Sequence, residues 1–382
     1  MRVLATLVEG IAEVPAAAWD ALDPSGHPFL RHAFLAALES SGCVGGDTGW
    51  VPRHLLLRDD EDRMLAAVPQ YIKLHSWGEF IFDWSWAQSY ERAGLEYYPK
   101  LLSAIPFTPV TGPRLLLAPD VDPALRSALA DLLVEAARQA GVSGVHVNFT
   151  RPDDQSALEH AGFLRRHDCR FVWRNRGYRD FEDFLDGFRS EKRKKTRRER
   201  RRVQEAGITF RTLHGADIDE SLWHTVFGFS ERTFLRHGNA HYLSAAFLSE
   251  VAQRMPESLM VKLAEERGSP VAAAIFFRGG GRLYGRYWGA ARQVDSLHFE
   301  ACYHQGIEYC IEHGIEVFDP GTQGEHKLAR GFEPTLTCSA HWLAHQGFSA
   351  AIARHLERER ESVDAYIADA AQHLPFQRDG VP

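Results

Sequence analysis

Hydrophobic positions along the chain change period several times, and each change marks an expected element. Residues 3–8 read as a short strand, and 29–40 carry apolar positions at helical spacing. Residues 53–58 and 64–74 form a strand pair around the acidic turn Asp59-Asp60-Glu61-Asp62, with a further apolar strand at 79–84. A helix over 123–140, apolar on one face, is closed by Gly141; a buried strand at 144–149, a short helix to Ala161 and a strand to Trp173 follow. The second half repeats this logic. Helices are expected at 181–188 and 190–206, a strand at 208–213, and helices at 219–235 and 243–255. Strands at 259–265, 271–278 and 282–288 come next, the last two joined through Gly279-Gly280-Gly281, a hairpin signal. A helix over 299–313 stops at Gly314, short strands cover 316–319 and 335–343, and a charged helix starts at Phe348. From Pro375 onward the chain is expected to fray.

This is an α/β pattern of the mixed-sheet, α+β kind, and 382 residues suggest two domains. A local signature recurs. Ala161-Gly162-Phe163 is followed by Cys169 and Trp173, and Arg330-Gly331-Phe332 by Cys338 and Trp342, with Gly-to-Cys spacing of seven and Gly-to-Trp spacing of eleven both times. We read this as a duplication, with domains 1–175 and 176–382.

Composition narrows the class. No apolar run approaches the 18 residues of a spanning helix, and Glu9 and Glu13 interrupt the first apolar run before any cleavage-like site. The five cysteines are scattered and form no CxxC pair, which points to a reduced, cytoplasmic setting. The net charge of −7 conceals an asymmetry: residues 189–202 hold ten Lys or Arg and two Glu, and the rest of the chain has 34 basic and 49 acidic residues, a net of −15. One concentrated cationic helix in an acidic protein is a footprint for a polyanion. Its candidate donor-phosphate contacts are Lys192, Arg193, Lys194, Lys195, Arg197, Arg198 and Arg201. Charge runs all round this helix, so burial alone does not hold it, and like charges at i,i+4 repel. An anion relieves that repulsion, with Arg suited to bidentate phosphate contact.

A second constellation follows the strand at 316–319, where Asp319, Gln323, Glu325, His326, Lys327 and Arg330 crowd a Pro/Gly-shaped loop. Strand C-terminal ends in open α/β sheets are ligand sites. Acyl transfer to an amine needs a base and donors for a developing oxyanion. Glu325, His326 and Asp319 are the catalytic candidates, and Lys327, Arg330 and Gln323 the substrate-binding ones. His298, Glu300 and Tyr303 open the helix just upstream and join the binding set. His298 and Glu300 resemble the HxE of zinc deaminases, but no PCxxC, HExxH or paired CxxC accompanies them, so no metal is expected. Cys302 reads as a buried helical cysteine. In the first half, Asp83, Trp84 and Lys100 sit in aromatic-rich stretches that suit a pocket wall or a core.

Three stretches, 97–112, 297–310 and 320–332, resemble in order the FemAB-like peptidoglycan biosynthesis/recognition family of predicted N-acyltransferases in the GNAT superfamily. The resemblance implies two tandem GNAT-like domains sharing a central cleft, and transfer of an acyl or aminoacyl group to a small-molecule or peptide amine. It implies a co-substrate, aminoacyl-tRNA or acyl-CoA, rather than a permanently bound cofactor. The basic helix followed by Gly207 also resembles Fem-type aminoacyltransferases, which makes tRNA a candidate partner. No Q/R-x-x-G-x-G/A pyrophosphate loop is present, a departure from ordinary acetyl-CoA-dependent enzymes. The alternative is a non-catalytic module binding RNA or a cell-wall precursor through a degenerate site.

Overall fold

The computed structural model describes residues 3–322 and 324–377. The chain divides into two compact units, Met1–Cys169 with Leu336–Ala365, and Arg170–Thr335 with Tyr366–Pro382. The strands Leu164–Arg174 and Glu333–Leu343 and the helix Gln346–Gln372 each run from one unit into the other. Among the described residues, no helix is long and apolar enough to cross a membrane.

In the first unit, strand Lys100–Ser103 lies antiparallel to Tyr71–Lys73 and parallel to Gly144–Thr150. Helix Leu125–Ala140 covers this sheet with Leu129, Ala130, Leu133, Val134 and Ala137, packed on Val145 and Val147. A second sheet holds the antiparallel strands Leu4–Val8, His54–Arg58 and Met64–Val68. The strand expected at 79–84 does not form; helix Trp84–Arg92 begins there instead. Side-chain chemistry explains the difference. Lys100 Nζ donates to Ser76 Oγ and Glu79 Oε2, both at 2.9 Å, and to Asp83, which also accepts from the Tyr97 hydroxyl at 2.6 Å. Glu79, Asp83 and Lys100 are all buried. The segment is bent inward to deliver two carboxylates to one ammonium, which no regular strand does.

Burial pushes the Glu79 carboxyl up to about 7. Asp83 is held below the usual carboxylate range, its desolvation outweighed by Lys100. Removing the shared cation strands two buried carboxylates, whereas removing the Glu79 charge leaves Asp83 to balance Lys100. A group with a raised folded-state pKa stabilises fully below its unfolded value, and that contribution is lost as pH rises toward about 7. Lys100→Met is therefore expected to cost about 3–5 kcal/mol in urea unfolding. Glu79→Gln should unfold like the parent near pH 4 and gain relative to it above pH 7. A Lys100→Met protein as stable as the parent would contradict this.

The second unit is built on the antiparallel run Ile208–His214, Leu259–Glu266, Ser269–Gly279 and Arg282–Ala290. The last strand then pairs in parallel with Val317–Asp319, which pairs antiparallel with Trp173 and Arg174. The Gly279–Gly281 hairpin forms as expected, with Gly280 and Gly281 at φ of 57° and 70°. The helix expected at 299–313 exists with an interruption: Leu297–Phe299 and Gln305–Glu312 are α-helical, and Glu300–His304 is a π turn. The basic helix spans Ser190–Glu205 and does have a buried stripe, Thr196, Glu199 and Val203. Residues 375–377 are not frayed. Pro375 O accepts from Arg189 N at 2.9 Å, and the Phe376 ring meets Phe188 edge-on at 5.3 Å.

Both copies of the repeated signature adopt one geometry. Gly162 and Gly331 have φ of 88° and 84°, and each leads into an eleven-residue strand, Leu164–Arg174 and Glu333–Leu343. Only glycine enters that left-handed turn without cost, so the repeat is a backbone requirement.

Candidate functional site

Three irregularities converge in the second unit. Between Ser269–Gly279 and Arg282–Ala290, Ile275 faces Tyr287 and Phe276 faces Gly285, so Arg286 is an extra residue in a bulge. The parallel ladder from Arg282 to Tyr284 against Val317 to Asp319 stops at Pro320, which has no N–H to continue it. Gly285 and Gly321 let the two backbones touch there: a Cβ on Gly321 would meet the Gly285 carbonyl at 3.0 Å. The π turn then swings Cys302 and Tyr303 toward the gap. A cavity of about 140 Å³ results, lined by Ala274, Ile275, Phe276, Gly285, Arg286, Tyr287, Trp288, His298, Cys302, Tyr303, Pro320 and Thr322.

The expected site residues divide here. Tyr303 and His298 line the cavity. The Tyr303 hydroxyl and His326 Nε2 are hydrogen-bonded at 2.9 Å. His298 sits between Trp288 and Tyr303, its ring 5.5 Å from each. Burial lowers His298 to about 4, so it is neutral near pH 7. Burial, helped by Lys327 and Arg330, also lowers His326 below ordinary histidine, leaving a neutral imidazole as proton acceptor. Burial raises both Tyr303 and the Cys302 thiol, so each keeps its proton and Cys302 is a poor nucleophile.

The other expected residues build the frame. Lys327 is 1% exposed and donates to Gly321 O at 2.7 Å and Thr322 O at 3.1 Å, fixing the loop that forms one wall. Asp319 accepts from Arg170 at 2.9 Å and Gly321 N at 3.0 Å. Arg330 donates to Glu199 at 2.9 Å and His326 O at 2.8 Å, and lies 3.5 Å over the Phe299 ring. Glu300 turns away from the cavity to His304, Gln305 and Arg200. Glu325 is exposed and accepts from the Tyr366 hydroxyl at 3.0 Å. Gln323 lies outside the described residues. Asp83, Trp84 and Lys100 are in the first unit, where Asp83 and Lys100 bond each other and Trp84 is exposed.

Arg286, Tyr287, Trp288 and Thr322 were missed by the sequence reading. A signal existed: Gly285 and Gly289 interrupt an aromatic-rich strand, which marks a bulge or close backbone approach. A Cβ on Gly289 would overlap the Phe229 carbonyl at 1.9 Å.

Some charges of the basic helix are paired and others are not. Arg193 pairs with Asp186, Arg197 with Glu182, Arg200 with Glu300 and Glu308, and Arg202 with Asp295. Lys192, Lys194, Lys195, Arg198 and Arg201 have no ion pair among the described residues, and all but the half-buried Lys192 are exposed.

Similarities to solved structures concern the fold. The C-terminal domain of a putative lysylphosphatidylglycerol synthetase from Agrobacterium fabrum superposes with a TM-score of 0.56 at 12% identity, covering 90% of this chain and 96% of that one. FemX superposes with a TM-score of 0.52 at 12% identity, covering 92% of this chain and all of its own. A tandem GNAT protein from the clavulanic acid biosynthesis pathway aligns at a TM-score of 0.46 and 12% identity, over 90% of this chain and 98% of that one. A comparison with curated proteins finds no match. The fold is mixed α/β and is shared with the first two of these structures. The family model for FemAB-like proteins, described as peptidoglycan biosynthesis/recognition, matches residues 10–378, and the chain belongs to that family.

Proposed function

We propose that this protein is an N-acyltransferase that moves an aminoacyl group from tRNA to an amine, using the cavity of the second unit. Family membership supports transferase activity of the acyl or aminoacyl class. The observation that carries the finer reading is the Tyr303–His326 pair, a neutral imidazole hydrogen-bonded to a cavity-lining phenol. The acceptor amine attacks the donor carbonyl, and the C–N bond forms as the ester bond to the carrier breaks. The amine loses one proton, which Tyr303 takes while passing its own to His326 Nε2. The leaving oxygen takes a proton back from the same relay. Lys327, Arg330 and Asp319 hold the loop and the histidine in place. The family description favours an amine of a peptidoglycan precursor as the acceptor.

The unpaired cations favour tRNA over coenzyme A as carrier. From Lys194 to Arg201 the exposed ones extend about 11 Å along the helix, at about 1.5 Å per residue. That is a run for several backbone phosphates, where a pyrophosphate would engage two or three residues.

Tyr303→Phe and His326→Gln are each expected to lower kcat by about 10²- to 10⁴-fold with little change in melting temperature. Gly324→Ala should act in the same direction, since its Cβ would lie 2.0 Å from His326 Cε1. The acid limb of kcat/KM should fall below the ordinary histidine value of about 6.5, because the base must be neutral and its pKa is lowered. Full activity in both dyad variants would remove the assignment.

Binding of charged tRNA should weaken steeply with salt, and charge reversal at Arg198 or Arg201 should each reduce the salt slope by about one. Reversal at Arg197, already paired with Glu182, should do less. Equal effects at all three, or binding indifferent to salt, would contradict a phosphate role for the unpaired face.

A further inference from the structure

The basic helix holds two glutamates between residues 189 and 202, and they differ in burial. Glu191 is exposed in the first turn, whereas Glu199 is 9% exposed, set in the sequence among Arg198, Arg200 and Arg201. Glu199 Oε2 accepts from Arg330 Nη2 at 2.9 Å, and Arg330 Nη1 donates to the His326 carbonyl at 2.8 Å. Two hydrogen bonds through one guanidinium therefore join the helix to the backbone of His326. The guanidinium is a rigid planar fork, so an acceptor fixed on one nitrogen fixes where the other points.

The same cation braces the histidine ring from behind. Arg330 lies 3.5 Å over the Phe299 ring, and that ring is 5.7 Å from His326 and stacked at 6.2 Å on Tyr303. Such support matters here, because the His326 imidazole has the Tyr303 hydroxyl as its hydrogen-bond partner among the described residues. The next residue of the helix reaches the other half of the pair. Arg200 donates to Glu300 at 3.2 Å and to Glu308 at 2.8 Å, and Glu300 opens the π turn that carries Tyr303.

Resting on the transferase reading above, we infer that Glu199 is a positioning residue: through Arg330 it sets His326 against Tyr303, so the helix that presents cations to the carrier also fixes the catalytic pair. A buried ion pair adds little net stability over well-packed apolar side chains of similar volume. What the Glu199–Arg330 pair supplies is the direction of the guanidinium, and hence the place of the His326 main chain.

The test separates position from stability and from carrier binding. Transfer from charged tRNA is measured on the full chain with Glu199→Ala, Glu199→Gln, His326→Gln and the Glu199→Ala, His326→Gln double variant. Glu199→Ala should lower kcat about 10²-fold, the scale of a small misplacement at a reacting centre, with KM for charged tRNA unchanged. Glu199→Gln keeps an oxygen acceptor for Arg330 and should recover most of the loss. In the His326→Gln background, Glu199→Ala should slow transfer no further, since a residue acting through His326 has nothing left to act on. If Glu199→Ala fails to fold, Glu199→Met with Arg330→Met removes both charges and takes its place; it should melt like the parent and still turn over slowly. NMR of protein carrying isotope-labelled histidine, with His326 assigned by the signal lost in His326→Gln, should show its ring nitrogens shifted by Glu199→Ala and close to the parent's in Glu199→Gln. Losses that add in the double variant, a raised KM at unchanged kcat, or an unshifted His326 signal in a folded variant overturns the inference. A shifted His326 signal together with no transfer by the parent, or with full activity in His326→Gln, would instead overturn the transferase reading of the pair and leave the positioning in place.

Discussion

The parting of two parallel strands is the constraint on which the second unit depends. Arg282–Ala290 and Val317–Asp319 pair for three residues, and after Tyr284 and Asp319 the ladder has nowhere to go, because Pro320 supplies no donor. Separating strands inside a sheet exposes backbone groups and apolar surface that something else must cover. Here the cover is irregular backbone: the bulge at Arg286, the π turn at Glu300–His304, and the loop that Lys327 grips by two carbonyls. None of these would be stable in isolation. Together they enclose a small cavity whose lining residue Tyr303 is hydrogen-bonded to His326.

Buried charge plays the same organising part in both units. In the first, Lys100 bends the 76–83 segment inward through two carboxylates. In the second, Arg330 bonds Glu199 of the basic helix and the carbonyl of His326. Arg200 reaches back from that helix to Glu300 and Glu308. The basic helix is thus fastened by the residues on one side, which leaves the opposite side available for solvent or an anion. Its repulsion is eased partly by these fixed pairs, so an external ligand need answer for only the unpaired cations.

Much of the architecture was legible because it is written in periodicity. Helix Leu125–Ala140 and strand Gly144–Thr150 lie within two residues of their expected bounds, since a full apolar face and a buried run leave little choice. The expected strand at 79–84 failed because apolar content alone cannot reveal that Glu79 and Asp83 face a lysine some twenty residues later. The basic helix read as polar all round because Thr196 and Glu199 are buried through partners distant in sequence. At the site, His298, Tyr303 and His326 were identifiable as chemistry-bearing residues in one stretch of chain. The separation of Tyr303 from Glu300 was not, since it depends on a π turn, nor was the turning of Glu325 to the distant Tyr366. Tyr287 and Trp288 were hidden for a related reason: a strand reads as core unless its bulge is seen.

The most direct test of the central claim is a crystal structure with a stable donor analogue, in which the acyl group is held on a short tRNA-acceptor mimic by a non-transferable amide. The account predicts the acyl side chain between Gly285 and Thr322, with its carbonyl within hydrogen-bond reach of the Tyr303 hydroxyl. An acyl group seated elsewhere, with this cavity unchanged, would contradict it.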